Sequence, residues 1–298
     1  MPPGHDPVAS GFRSSVSNSM TGFRQFSAVA LSCAAALAAS AWPAAAQVGA
    51  DLNISPKRVV FAPGERSATV YVFNQGDLPA TYTVELVDRV MLPDGQIAPA
   101  ADHADVTLAS AADLVAHTPR RVTLQPRESQ AIRLRARPAG DGSPERRSHL
   151  TVTALPPETS GFTAEQAASA SDGDVTLQVV ALFSISIPVI VRDAAPDARA
   201  AIAGLALDRA SGPDALTFDL ERLGPNSVYG DLEVHRGDAE GELITALRGV
   251  AVYPEVGRRA VRLGLPETVP SGQALTLVYR DDDARPGAIL ATASLTAP

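Results

Sequence analysis

Short runs of alternating apolar and polar residues, each closed by a turn, fill the chain from about residue 59 to its end. In 67–74, Ala68, Val70 and Val72 alternate with Thr69, Tyr71 and Phe73, and the run stops at Gln75-Gly76-Asp77. In 80–90, Tyr82, Val84 and Leu86 alternate with Thr81, Thr83 and Glu85. Alternation with period two predicts strands with one face on a core. The same reading covers 59–61, 121–124, 129–137 and 148–155; in 129–137 the arginines face outward between apolar neighbours. After a Pro-containing junction at 193–197 come further strands near 202–207, 216–223, 228–235, 243–247, 259–263, 274–279 and 289–295. About seven short strands in about 100 residues, with turn residues between them, predict an immunoglobulin-like sandwich. The first set gives a similar count over a longer stretch. The predicted fold class is all-β: two tandem immunoglobulin-like β-sandwiches at an angle with a cleft between them, over 47–193 and 197–298. No long amphipathic helix is predicted.

Two stretches read as loops. The 91–104 segment holds Pro93-Asp94-Gly95 and Pro99 and opens as a hairpin turn. The 156–173 segment is rich in Ala, Ser, Thr, Glu and Gly, with few side chains to offset the entropy of ordering it.

The 174–192 run departs from this pattern. Val175, Leu177, Val179, Ala181, Phe183, Ile185 and Ile187 make one parity apolar throughout, while the other mixes Thr176, Gln178 and Ser184 with Val180, Leu182 and Pro188. A strand of that length spans roughly 60 Å at about 3.3 Å per residue, more than one sandwich buries. Two readings are open. It is a core strand bent near Pro188 with a half in each domain, or an edge strand offering apolar side chains to a partner. Proline donates no ladder hydrogen bond and suits an edge. A long apolar edge is an aggregation hazard, so its retention implies a use, such as strand addition to an incomplete sheet.

Composition narrows the class. With 45% hydrophobic and 19% charged residues the chain is globular rather than disordered. A net charge of −8 argues against nucleic acid as a partner. Residues 1–46 read as an export signal, with Arg24 as the positive flank, an Ala-rich apolar core and Ala44-Ala45-Ala46 at the cleavage point; Met1 and Met20 are both open as the start. The one cysteine, Cys33, falls inside that segment, so the exported chain holds together without disulfides. No membrane span is predicted in the mature chain, which is placed in the periplasm. His5, His103, His117, His149 and His235 lack metal-ligand spacing, and His149 reads as structural. No nucleophile elbow or phosphate loop is present. Neither an enzymatic activity, a metal nor a cofactor is expected. Asp281-Asp282-Asp283 reads as the solvated tip of a hairpin.

Four stretches together resemble the periplasmic chaperones of the chaperone–usher pilus pathway. They are Ser55-Pro56-Lys57-Arg58-Val59-Val60-Phe61; Glu145-Arg146-Arg147-Ser148-His149-Leu150 running on to Leu155-Pro156-Pro157; the 179–192 strand ending in Arg192; and Asn226-Ser227-Val228-Tyr229-Gly230-Asp231-Leu232, which resembles a divergent branch. The resemblance implies that a long donor strand, 174–192, fills the gap in a pilin-like subunit, which is then delivered to an outer-membrane usher. It implies that Arg58 binds the subunit's C-terminal carboxylate, a task suited to a guanidinium. Arg58 taken alone reads as a surface arginine. Leu177, Val179, Ala181 and Phe183 fall on the side chains that enter the subunit. One position departs from the pattern: Pro188 stands where the family carries a second, cationic cleft residue, a lysine, with Lys57 and Arg192 as the cations nearest to hand. The alternative function is a non-catalytic surface or scaffold protein built of two immunoglobulin-like domains.

Overall fold

The computed structural model describes residues 52–156, 183–210 and 212–298. Residues 1–46, read above as an export signal, most of the 156–173 segment, and Leu177, Val179 and Ala181 lie outside the described residues. Val48–Pro298 forms one compact unit.

The strands of the first sandwich are β1 (Leu52–Ser55), β2 (Val59–Phe61), β3 (Ser67–Asn74), β4 (Ala80–Val87), β7 (Val115–Thr118), β8 (Arg121–Leu124), β9 (Ser129–Ala136), β10 (Arg146–Ala154) and β11 (Ser184–Val191). One sheet runs β1-β3-β9-β7 and the other β2-β11-β10-β4-β8. Alternation sets which face is inside. Val70 and Val72 of β3 and Ile132 and Leu134 of β9 are buried against Tyr82 and Val84 of β4 and Leu150 and Val152 of β10. Each fully buried side chain of this size contributes about 1.5–3 kcal/mol. Between β4 and β7, β5 (Arg89–Met91) and β6 (Ile97–Pro99) form a hairpin, followed by a single 3-10 turn at Ala100–Asp102. The turn expected at Pro93-Asp94-Gly95 is therefore the tip of a short two-stranded ribbon. Gly95 has φ +87° there, and a Cβ would collide with the Arg259 guanidinium.

The second sandwich packs β12 (Ala200–Asp208), β13 (Ala215–Arg222) and β16 (Arg258–Gly264) against β14 (Val228–Arg236), β15 (Leu243–Val252), β17 (Ala274–Asp281) and β18 (Ile289–Thr296). Leu216, Phe218 and Leu220 meet Leu232, Val234, Leu275 and Leu277 in its core. Tyr279 is fully buried, and its hydroxyl donates to the Val250 carbonyl at 2.8 Å, so the polar tip is satisfied inside an apolar layer.

The two sandwiches share more than a linker. Met91 and Ile190, from the first set of strands, are buried in the second core, with Val60 packed against it. At the hairpin tip, the Ala260 amide of β16 donates to the Pro93 carbonyl at 2.8 Å. Asn226 bridges as well, donating to the Pro144 carbonyl at 3.0 Å while accepting from the Asp197 amide at 2.9 Å. Among the described residues, no helix is long and apolar enough to cross a membrane.

Candidate partner-binding site

Strand β11 has two kinds of surroundings. Along its whole length it pairs antiparallel with β10, from Arg146↔Val191 to Thr153↔Ser184. On its other side β2 runs parallel to it, but only at Val189, Ile190 and Val191. Among the described residues, no strand pairs with 184–188 on that side. Two hydrogen bonds fix the direction of the backbone groups. The Ala154 amide donates to the Phe183 carbonyl at 2.9 Å, and the Arg192 amide donates to the Phe61 carbonyl at 3.0 Å. Ladder groups alternate sides along a strand, so residues 183, 185 and 187 turn theirs towards β10. Ser184, Ser186 and Pro188 turn theirs towards the open edge. Pro188 thus lacks its N–H at a position where β2 has not yet begun, and no ladder bond is lost.

The side chains follow the same division. Ile187, Val189 and Val191 are buried in the first core and Ile185 packs against it, whereas Phe183, of the same parity, is 48% exposed beyond the core's end. Ser186, of opposite parity, shares a 2.6 Å hydrogen bond with Thr151 of β10. Of the two readings of this strand, the described part is an edge at 183–188; its continuation at 189–191 is enclosed and sends Ile190 alone to the second core.

Arg58 lies just before β2 and is not a surface arginine: its side chain is 10% exposed. Its Nη2 donates to Asp283 Oδ2 at 2.8 Å, and its Cζ sits 4.4 Å from the centre of the Tyr229 ring. Its Nε and Nη1 are buried and lack a partner among the described residues. Asp283 also accepts two hydrogen bonds from Arg192, Nη2 to Oδ2 at 2.7 Å and Nη1 to Oδ1 at 3.2 Å. Arg192 Nε donates to Glu145 Oε2 at 3.1 Å, and the buried Ser227 hydroxyl joins them, accepting from Arg192 Nη2 and donating to Glu145 Oε2. Burial opposes the charge on Asp283, but the hydrogen bond from Arg192 and the field of Arg58 outweigh it and hold this carboxyl below its ordinary range.

The acidic run is therefore not a solvated hairpin tip. Asp281 is 2% exposed and caps the turn, accepting from the amides of Asp283 and Ala284 through Oδ1 and of Arg285 through Oδ2. That cap aims Asp283 back at the first sandwich; Asp282 alone faces solvent. Neither cation near Pro188 stands free to replace a second anchor. Lys57 Nζ donates to Asn53 Oδ1 at 2.6 Å on the surface, and Arg192 is committed to Asp283, Glu145 and Ser227.

A second ionic contact joins the sandwiches beside the enclosed half of β11. Arg147, opposite Ile190 in the ladder, pairs with Glu255; the two side chains are 2% and 1% exposed. Arg147 also donates to the Arg89 carbonyl at 3.0 Å and lies over the Tyr253 ring, with Cζ 3.9 Å from its centre. Glu255 Oε1 accepts the Met91 amide at 2.7 Å as well. His149, opposite Pro188, is buried next to this cation. Desolvation first, then the charges of Arg147 and Arg89, push its pKa down to about 3, so it is neutral at ordinary pH and serves as a structural side chain.

Sequence reasoning missed Asp283, Glu145, Ser227, Arg147 and Glu255 as site residues. The available signal was a charged residue closing an otherwise apolar run, as at Arg192, since such a residue is buried only when paired; Arg147, flanked by Arg146, Ser148 and His149, carried no such signal.

No family model and no curated protein matches the chain. Solved structures do resemble it. The chain is similar to the E. coli chaperone DraB at 17% identity, with 83% of this chain and 97% of that one covered and a TM-score of 0.41. A Salmonella enterica structure, the SafA pilin in complex with the SafB chaperone, aligns at 16% identity over 84% of this chain and 98% of that one, with a TM-score of 0.43. The Acinetobacter baumannii CsuC–CsuE chaperone–tip adhesion subunit pre-assembly complex, from archaic chaperone–usher Csu pili, aligns at 12% identity over 84% and 100%, with a TM-score of 0.42. Likeness at this level does not decide a function.

Proposed function

We propose that this chain is a periplasmic, non-catalytic assembly chaperone that lends the open edge of β11, with the residues preceding it, to an incomplete sheet in a pilin-like subunit. The observation that carries the reading is the edge at 183–188: backbone groups of Ser184 and Ser186 without a strand partner among the described residues, next to a half-exposed Phe183. Backbone pairing along such an edge supplies affinity, and alternate side chains supply specificity. The pilin-like partner and delivery to an outer-membrane usher follow from the sequence resemblance, and the periplasmic location from the export-signal reading of 1–46. Leu177, Val179, Ala181 and Phe183 are the side chains offered to the subunit. Arg58 is the group offered to its C-terminal carboxylate, through a guanidinium whose Nε and Nη1 have no partner among the described residues.

Co-expression with a pilin-like subunit and affinity purification tests this. A stable one-to-one complex is expected, abolished by Phe183→Asp and weakened by Arg58→Ala. Failure to recover any complex, or full recovery with Phe183→Asp, refutes the strand-lending reading.

A further inference from the structure

Arg58 and its neighbours form a closed set of charges. Two guanidinium groups, Arg58 and Arg192, face two carboxylates, Asp283 and Glu145, so the formal charges cancel. The set is nonetheless short of hydrogen bonds. Arg58 Nε and Nη1 and Glu145 Oε1 are all buried without a partner among the described residues. A guanidinium binds a carboxylate best through two parallel N–H groups, and each such fork on Arg58 includes Nη2, one of whose two N–H groups Asp283 holds at 2.8 Å, so a second forked carboxylate would lie beside Asp283 on the same nitrogen. A second carboxylate arriving there would share Nη2 with Asp283 and add a negative charge to a neutral, largely buried group. Like charges at that distance repel strongly where water is excluded. Among the described residues, β11 carries Pro188 rather than a cation opposite His149, and Lys57 donates to Asn53 at the surface.

We propose that Arg58 is an anion site whose resident ligand is the chain's own Asp283, and that an external carboxylate occupies it only by displacing Asp283. The turn that carries Asp283 is built for this contact, since the buried Asp281 carboxylate fixes three consecutive amides of it. Arg192 keeps the displaced state tolerable: it holds Asp283 through a second oxygen and remains paired with Glu145. The internal ligand lowers apparent affinity for an external one by the fraction of time the site is vacant. For subunit capture, the consequence rests on the strand-lending reading: the subunit's carboxylate competes with Asp283, so the strand supplies most of the affinity and the arginine adds a term that Asp283 sets.

The test needs no subunit, so its failure and that of the strand-lending reading are distinguishable. The Nε–H signal of Arg58 is followed by NMR in the full chain while sodium acetate is added, in the wild type and in Asp283→Asn. Removing the resident charge is expected to lower the acetate midpoint by about tenfold, equivalent to about 1.4 kcal/mol. Equal midpoints, or no saturable shift in either protein, overturn the proposal. Because Asp283→Asn leaves a buried guanidinium less well paired, the wild type supplies an independent reading through the carboxyl carbon of Asp283. That signal moves together with Arg58 Nε–H if acetate displaces it. An Arg58 signal that saturates while the Asp283 carbon stays put overturns the proposal without any variant.

Discussion

At Val189, Ile190 and Val191, β11 has a strand on each side and a core on each face; at 184–188 its one strand neighbour among the described residues is β10. One parity stays apolar and β-branched throughout, as Ile185, Ile187, Val189 and Val191, while the other passes from Ser184, Ser186 and Pro188 to Ile190, and the pairing changes at the same place. The difference comes from what the rest of the chain brings alongside. β2 is three residues long and reaches only the enclosed half, while Arg147 and His149 of β10 lie opposite Ile190 and Pro188. An apolar strand is thus a structural element for half of its length and an exposed edge for the other half. Burial of one half fixes the strand in place, which leaves the other half ordered before any partner arrives, and order before binding reduces the entropy lost on association.

The largest effect is expected where the enclosed half is tied to the second sandwich. Glu255→Ala strands the Arg147 charge in a site 2% exposed, and breaking a buried pair in this way costs about 3–5 kcal/mol; urea unfolding of the variant checks it. Ile190→Ala, removing the one β11 side chain in the second core, is expected to cost about 2–5 kcal/mol in the same measurement. If either change falls within about 0.5 kcal/mol of wild type, as exposed positions do, the enclosed half is not the anchor described.

Acid sharpens the comparison from the side of His149. Its folded pKa of about 3 lies below the ordinary value of 6.5, so the unfolded chain binds the proton first. Its contribution to stability is complete above 6.5, declines as pH falls below that, and is exhausted near 3. A urea midpoint that falls over this window in the wild type, and less steeply in His149→Gln, is the expected result. The smallest effect on stability belongs to the open half. Phe183→Asp changes a side chain that is 48% exposed, so unfolding should move by no more than about 0.5 kcal/mol while subunit capture is lost.

Much of this molecule was legible in the sequence. The alternation in 67–74 gave β3 with its bounds and its inward face, since a period of two registers which side chains a sheet buries. The turn residues at 93–95 marked a hairpin, though not that its tip would hydrogen-bond to β16. Strands β1, β6 and β7 were not anticipated, β6 because it lies in the 91–104 segment read as a loop. The ionic site was only half visible. Arg58 stood out through the resemblance, but its partner Asp283 lies 225 residues away, and no local pattern reports a contact closed by the packing of two sandwiches. Three consecutive aspartates look solvated because charge in a turn generally is; here Asp281 is consumed by the turn's own amides, and Asp283 is turned inward as a result.

Amide hydrogen exchange at successive residues of β11, in the free chain and in its complex with a pilin-like subunit, bears most directly on the central claim. Ile185 and Ile187, whose N–H groups face β10, should be protected in both states. Ser184 and Ser186, whose N–H groups face the open edge, should exchange rapidly in the free chain and become protected in the complex. Protection of both serines in the free chain, or no gain on binding, would contradict an edge strand that is lent to a partner.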